Sequence, residues 1–274
     1  MNESFLIIGG DLRQQYLKSL LDEKYDDVFH VRYPADIWKL DEVDRYSHII
    51  LPLPVSKDKE YIYSTDNLCL KISEVVDLIK SCHTVYASGF DNKTLDYFED
   101  KKIEYHDFMK DKIFKKANAY FTAQGTLKIL LDNTRDYIVG KKALIIGFGD
   151  VAVTLAELLS KIGVHVYITA RNDRKLSVAE YSGFKSVRLC DLKSSISKFD
   201  YICGTVPANI IDEETIKGIR DDSLYFELAS APYNADKKLF EALSKKHING
   251  SSLPGKFLPL ASGKIMAEFI LSNL

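Results

Sequence analysis

Apolar positions along this chain follow two rhythms: short runs of contiguous or alternating apolar residues, and longer stretches with apolar residues three or four apart. The first rhythm marks strands and the second marks helices. In the first half, residues 5–8, 28–33, 47–51, 84–87 and 104–106 predict strands, while 12–21, 70–80 and, with a weaker pattern, 92–100 predict helices. Strands alternating with helices predict a parallel sheet. Residues 119–137 predict one long helix that leads to Gly140 and joins the halves. Beyond it, strands are expected at 142–146, 164–171, 186–189, 200–205, 223–228 and 248–253. Residues 259–274 carry apolar residues at Leu260, Ile265, Phe269 and Ile270 and predict an amphipathic helix, expected to return to the first half. The fold class is therefore α/β, with two doubly wound parallel-sheet domains. The expected division is 1–118 together with the helix 259–274, and 119–258. The halves share an architecture but no residue-level repeat.

One junction in the second half carries specific chemistry. The strand ending at Ile146 runs into Gly147-Phe148-Gly149-Asp150-Val151-Ala152 and then a helical pattern. In that context a Gly-x-Gly-x-x-Ala spacing reads as the dinucleotide site of a Rossmann NAD(P)-binding domain. Gly147 permits the tight turn, Gly149 lets backbone N–H groups approach a pyrophosphate, and Ala152 lets the helix pack close to the strand. The next strand ends at Ala170-Arg171-Asn172. An acidic residue there would grip the ribose 2′-hydroxyl of NAD, whereas arginine suits the 2′-phosphate of NADP; NADP is expected and NAD stays open. Thr205-Val206-Pro207, Ala229-Ser230 and Leu253-Pro254-Gly255-Lys256 follow later strands, where ligands bind in open α/β sheets, and each would face the nicotinamide side.

The first half, expected to be flavodoxin-like and to bind substrate or a partner, has its own strand and glycine turn, Ile8-Gly9-Gly10-Asp11-Leu12-Arg13. It lacks the second spaced glycine, so a second dinucleotide is not expected. Arg13 reads either as a carboxylate ligand at a helix start or as a solvated charge behind an Asp11 cap. The polar stretch 56–67 reads as a long loop, at the ligand edge or merely connecting. Asn118 and Thr122 read as cleft-lining, with a helix cap as the alternative for Thr122. Substrate is expected between the halves.

Composition narrows the function further. The 274 residues are 46% hydrophobic with a formal net charge of -2 and no long run of one sign, which argues against a nucleic-acid surface. The start of the chain lacks a basic leader, and its apolar run breaks at Gly9, Gly10 and Asp11, so neither signal peptide nor membrane span is expected and a cytoplasmic protein is. Cys69, Cys82, Cys190 and Cys203 show no C-x-x-C spacing, and reduced, mostly buried thiols are expected. The six histidines are scattered without metal-ligand or triad spacing, so no metal is expected.

Taken together, Gly9-Gly10-Asp11 with Arg13-Gln14, Asn118-Ala119 with Thr122-Ala123 and Gly125-Thr126, Gly147-x-Gly149, Ala170-Arg171, Leu228-Ala229-Ser230, Leu253-Pro254-Gly255-Lys256 and Ser262-Gly263 resemble the dipicolinate synthase A-subunit family over nearly the whole chain. The resemblance implies an NADP-linked dehydrogenase that, with a flavoprotein-like B subunit, oxidises dihydrodipicolinate to pyridine-2,6-dicarboxylate during sporulation. It implies Arg13, Lys256, Asn118 and Thr122 as candidates to meet a small dicarboxylate, with Lys256 as an anion clamp or proton acceptor, the clamp being favoured. Three places depart from the family pattern: Asp150 stands where arginine is usual, Gln124 where glutamate is, and Tyr233-Asn234 where two glycines are. Two alternatives stay open, a dehydrogenase of another small carboxylate such as a hydroxy acid or a shikimate-like compound, and a non-catalytic nucleotide-binding partner subunit. A homo-oligomer is also left open.

Overall fold

The computed structural model describes residues 3–274. They divide into two compact units, one running up to Ala117 and including Gly255–Leu274, the other Asn118–Pro254. In the first unit, β1 (Ser4–Ile8), β2 (Asp27–Val31), β3 (His48–Ile50), β4 (Thr84–Ala87) and β5 (Glu104–Asp107) form a parallel sheet of order β2-β1-β3-β4-β5. Side chains alternate across a strand, so both sheet faces need apolar cover. On one face Leu6, Ile8, Val31, Ile49 and Val85 pack with Leu40, Val75 and Phe98. On the other, Phe5, Ile7, Ile50 and Tyr86 pack with Leu17 and Leu21 of the helix Leu12–Asp22 and with Met266 and Ile270 of the C-terminal helix Pro259–Leu271.

The C-terminal helix thus returns to the first sheet, as its apolar spacing predicts. Gly263 sets how close it comes. A Cβ there would lie 2.7 Å from the Arg13 carbonyl oxygen and 2.9 Å from Tyr16 Cβ, so the two helices meet backbone to backbone.

In the second unit, β6 (Lys142–Ile146), β7 (His165–Ala170), β8 (Lys185–Arg188), β9 (Tyr201–Gly204), β10 (Leu224–Glu227) and β11 (His247–Asn249) form a parallel sheet of order β11-β10-β9-β6-β7-β8. Counted from β6 this is the doubly wound order 3-2-1-4-5-6, in which the direction of strand addition reverses between the first and fourth strands, here β6 and β9. Ligands bind at that reversal because loops leave in opposite directions and open a crevice.

Several local expectations are corrected. The long helix is Lys112–Asn133: it begins a turn and more before residue 119, at Asp111, whose Oδ1 accepts the Phe114 N–H at 2.7 Å, and stops before Gly140. The last strand is only His247–Asn249, and Leu253–Phe257 is a short helix instead of a strand end and loop. Apolar residues at 248 and 253 read as one run, but Gly250 breaks it: a Cβ there would lie 2.4 Å from Leu228 Cδ2 and 2.9 Å from the Glu227 carbonyl oxygen. Only Cys203, inside β9, is a buried thiol. Cys69, Cys82 and Cys190 are exposed, Cys69 in an irregular segment, Cys82 in the turn before β4 and Cys190 in a short 3-10 helix after residue 188. No helix among the described residues is long and apolar enough to cross a membrane.

Candidate active site

The second unit builds a dinucleotide cradle from its glycine turn. The Gly147 N–H donates to the Thr169 carbonyl at 2.8 Å, tying the turn to β7, and the residue sits at φ +117°, where only glycine is unstrained. Space forbids a side chain as well: a Cβ would lie 2.5 Å from Thr205 Oγ1 and 2.7 Å from Val206 Cγ2. Thr205 cannot retreat, since its hydroxyl and its N–H both donate to the Ile146 carbonyl, at 2.8 and 3.1 Å. Gly149 is the N-cap of the helix Asp150–Lys161; its backbone is extended, no side chain caps the helix start, and a Cβ there would meet nothing within 4 Å. Ala152 is fully buried, as close helix packing requires. An uncapped helix start facing open space fits a pyrophosphate, whose charge would be met by the helix dipole and N–H groups. Asp150 and Val151 form its first turn, Asp150 exposed.

At the end of β7, Arg171 is exposed and Asn172 caps the next helix, its Oδ1 accepting the Arg174 N–H at 2.8 Å. Ala170 pairs in register with Arg188 of β8.

The loops after β9 and β10 are joined by two residues outside the expected site. Glu227, 3% exposed, accepts Ala229 N–H on Oε1 at 3.2 Å, and on Oε2 the N–H groups of Asn234 and Ala235 at 3.0 and 3.1 Å and the Tyr225 hydroxyl at 3.2 Å. Burial pushes its carboxyl above the ordinary value, and these donors only partly offset the shift. Asn234, fully buried, donates to the carbonyls of Val206 and Ala208 at 3.3 and 3.2 Å. The Asn234 side chain is therefore the latch between the 205–208 and 229–235 segments. Ala229 is buried, while Pro207 and Ser230 are exposed. Glu227 was invisible in the sequence because a lone acid at a strand end carries no periodic signal.

The remaining candidates of this unit lie on the helix Lys112–Asn133 or beside it. Thr122 is buried and its hydroxyl donates to the Asn118 carbonyl at 2.8 Å; it sits mid-helix, so it is not a cap. Asn118 is half-buried and Gln124 exposed. Leu253, buried, packs on Gly125, where a Cβ would lie 2.6 Å from Leu253 Cβ; Pro254 is also buried.

In the first unit the corresponding turn is closed by the protein itself. Gly9 and Gly10 have φ +66° and +99°, and the Gly10 N–H donates to the Tyr63 carbonyl at 2.7 Å while the Gly10 carbonyl accepts the Thr65 N–H at 3.0 Å. The stretch 56–67 thus lies strand-like against β1's end. Asp11 caps the helix Leu12–Asp22 and forms a capping box with Gln14. Arg13 is 4% exposed, not solvated: Nε and Nη2 donate to the two Asp11 oxygens at 2.8 and 2.9 Å, and Nη2 also to the Leu53 carbonyl at 2.7 Å. Burial raises the Asp11 carboxyl, but the hydrogen bonds and charge of Arg13 outweigh it and hold it below the ordinary value. Gly255 seals the pair from the C-terminal side, where a Cβ would lie 2.6 Å from Asp11 Oδ2, and the exposed Lys256 follows it.

At the opposite edge of this sheet, Asp44, Cys82 and His83 offer ligand atoms within 4.8 Å of one another. His83 Nδ1 accepts the Lys80 N–H at 2.9 Å, which leaves the proton on Nε2, and the Lys80 ammonium pairs with Asp44. A metal would need the Nε2 lone pair, so the group is a poor ligand set.

The glycine cradle, the uncapped helix and the strand order define a nicotinamide-nucleotide oxidoreductase. The chain belongs to the family of the D-isomer specific 2-hydroxyacid dehydrogenase, NAD binding domain, whose model matches residues 112–253. Residues 4–109 match the N-terminal domain of the dipicolinate synthase A subunit. Over nearly its full length the chain is similar to the dipicolinate synthase A subunit of Bacillus subtilis (strain 168), 26% identical over 283 residues that cover 98% of this chain and 94% of that one. The resemblance drawn from its motifs therefore holds across both units. In fold it is similar to the dipicolinate synthase A subunit from Bacillus halodurans (TM-score 0.84, 20% identical, 99% of this chain and 97% of that one). It is similar in fold also to D-lactate dehydrogenase from Escherichia coli (TM-score 0.70, 12% identical, 98% and 96% covered).

Proposed function

We propose that this chain is an NADP-linked dehydrogenase of the dipicolinate synthase A-subunit type, oxidising dihydrodipicolinate to dipicolinate in the cytoplasm of sporulating cells, together with a dipicolinate synthase B subunit. The observation that carries this reading is the similarity along 98% of the chain to a relative of that name, in both units and not only the nucleotide-binding one. The preference for NADP is supported by Arg171, exposed where an NAD-selective acid would otherwise stand. When bound, the oxidised nicotinamide supplies the hydride acceptor. Gly147, Gly149 and the start of the helix Asp150–Lys161 hold the pyrophosphate, with Val151 in the first turn. Ala170, Arg171 and Asn172 border the 2′-phosphate. Thr205, Val206, Pro207, Ala229, Ser230, Leu253 and Pro254 border the nicotinamide side. Lys256 clamps a substrate carboxylate, supported by Arg13, and Asn118 and Thr122 add polar contacts. Loss of a hydride and a proton leaves an aromatic ring, so the chemistry calls for orientation and exclusion of water more than for a strong base.

The test follows nicotinamide absorbance when the full chain, with and without the B subunit, receives the dihydrodipicolinate precursor and either NADP or NAD. Reduction of NADP in preference to NAD is expected. Silence with both proteins present would sink the claim. Turnover of a hydroxy acid instead would assign a different small carboxylate, and a nucleotide-induced thermal shift without any turnover would assign a non-catalytic binding role.

A further inference from the structure

At the carboxyl end of the first sheet, the stretch 56–67 brings two residues to Asp11 and Arg13 that belong to no motif. The Tyr63 hydroxyl donates to Asp11 Oδ2 at 3.4 Å, and the Lys57 ammonium stands 3.7 Å from the centre of the Tyr63 ring. This stretch is built to stay in place. Tyr63 N–H donates to the Val55 carbonyl at 2.7 Å, and Ile62 N–H to the Leu70 carbonyl at 2.8 Å. Asp58 Oδ1 accepts the N–H groups of Glu60 and Tyr61, both at 2.9 Å, and Val55 and Ile62 are buried in the core.

The charges do not cancel. Lys57 lies within electrostatic reach of Asp11, Arg13 and Lys256. Lys57 and these neighbours together make three cations, Arg13, Lys57 and Lys256, to one carboxylate, a surplus of two positive charges. Partial burial, ahead of repulsion from Arg13 and Lys256, lowers the Lys57 pKa, and Asp11 only partly opposes this. Arg13, buried, spends Nε and Nη2 on Asp11 and Leu53. Gln14 Nε2, fully buried at the same helix start, has no partner among the described residues. A surplus of two charges is complementary to one dianion.

We propose that Lys57 and Lys256, set over the Asp11–Arg13 pair with Tyr63 as the floor, form the seat of a dianionic dicarboxylate, and that Lys57 is a specificity-determining residue of the site. The seat rests on the proposed function, in which the substrate is a small dicarboxylate, and it separates the roles of the cations. Arg13 is held by Asp11 and orients the seat, whereas the two lysines supply the charge that a second carboxylate needs. A monocarboxylate would leave one positive charge uncompensated.

The test is calorimetric titration of the full chain with pyridine-2,6-dicarboxylate, with glutarate as a non-aromatic dicarboxylate, and with pyridine-2-carboxylate. Lys57→Met and Lys256→Met should each weaken dicarboxylate binding about tenfold, steeply so at low salt, and leave NADP binding and melting temperature unchanged. Tyr63→Leu should act like Lys57→Met, while Tyr63→Phe should keep most of the affinity because the ring remains. Unchanged dicarboxylate binding in both lysine variants, no dicarboxylate binding at all, or equal affinity for the monocarboxylate would overturn the seat. Turnover reads the proposed function separately. Wild-type turnover with an unaltered KM in Lys57→Met refutes the seat alone, and lysine-dependent dicarboxylate binding without turnover refutes the proposed reaction alone.

Discussion

The molecule contains the strand, glycine turn and helix twice, and the two copies differ in who answers the helix start. At Gly9-Gly10 the chain answers it: Asp11 and Gln14 form a capping box, and Tyr63 and Thr65 hydrogen-bond to Gly10. At Gly147–Gly149 the N-cap is glycine, no side chain caps the helix, and the space beside Gly149 is open. One aspartate in place of one glycine therefore turns a phosphate site into a self-satisfied one, because a carboxylate at the cap takes the N–H groups that a phosphate would use.

The largest effect should come from breaking the closed turn. Asp11→Ala leaves Arg13 buried without its partner, and a loss of about 3–5 kcal/mol is expected in denaturant unfolding. Stability unchanged within about 0.5 kcal/mol would show that the pair is not structural. Next is the conversion of the open turn into the closed kind. Gly149→Asp meets no steric obstacle, should raise the melting temperature slightly through a cap worth about 0.3 kcal/mol over glycine, and should weaken nucleotide binding about a hundredfold. Retained NADP affinity in fluorescence titration would refute the cradle.

The two buried carboxylates at the sheet ends sharpen the contrast through pH. The Asp11 pKa lies below its ordinary 3.8, so its contribution to stability is full above that value and is lost as pH falls through the folded-state pKa. Glu227, desolvated by burial, lies above its ordinary 4.5, so its contribution is full below that value and is lost as pH rises through the folded-state pKa. Glu227→Gln should remove the second dependence while costing about 1–3 kcal/mol for a lost acceptor, and should raise the KM for nucleotide by loosening the 229–235 segment. A pH–stability profile identical to wild type would contradict it. The smallest effect is expected at Arg171→Gln, about tenfold weaker NADP binding with NAD unaffected; equal losses for both nucleotides would remove the 2′-phosphate role.

Most strands were readable because a parallel strand covered on both faces is an unbroken apolar run, as in β1 and β6, whose Ile8 and Ile146 stop at glycine. Helix limits were less readable: the helix Lys112–Asn133 starts at Asp111 on a hydrogen bond, whereas the apolar spacing seemed to begin later. The site was legible only where chemistry coincides with a backbone requirement, as at Gly147. Lys57, Tyr63, Glu227 and Asn234 carry no motif, since what brings them to their partners is hydrogen bonding between segments far apart in the chain.

By itself, then, the sequence determined the alternation of strands and helices, the nucleotide-binding turn and the kinship to dipicolinate synthase, because periodicity and glycine spacing are local properties of a chain. Only the tertiary structure decided that Arg13 is a buried partner of Asp11 and not a free charge, and that Asn234 latches two loops. It also decided that Lys57 has Asp11, Arg13 and Lys256 within electrostatic reach, because burial and net local charge are sums over neighbours that sequence distance does not reveal.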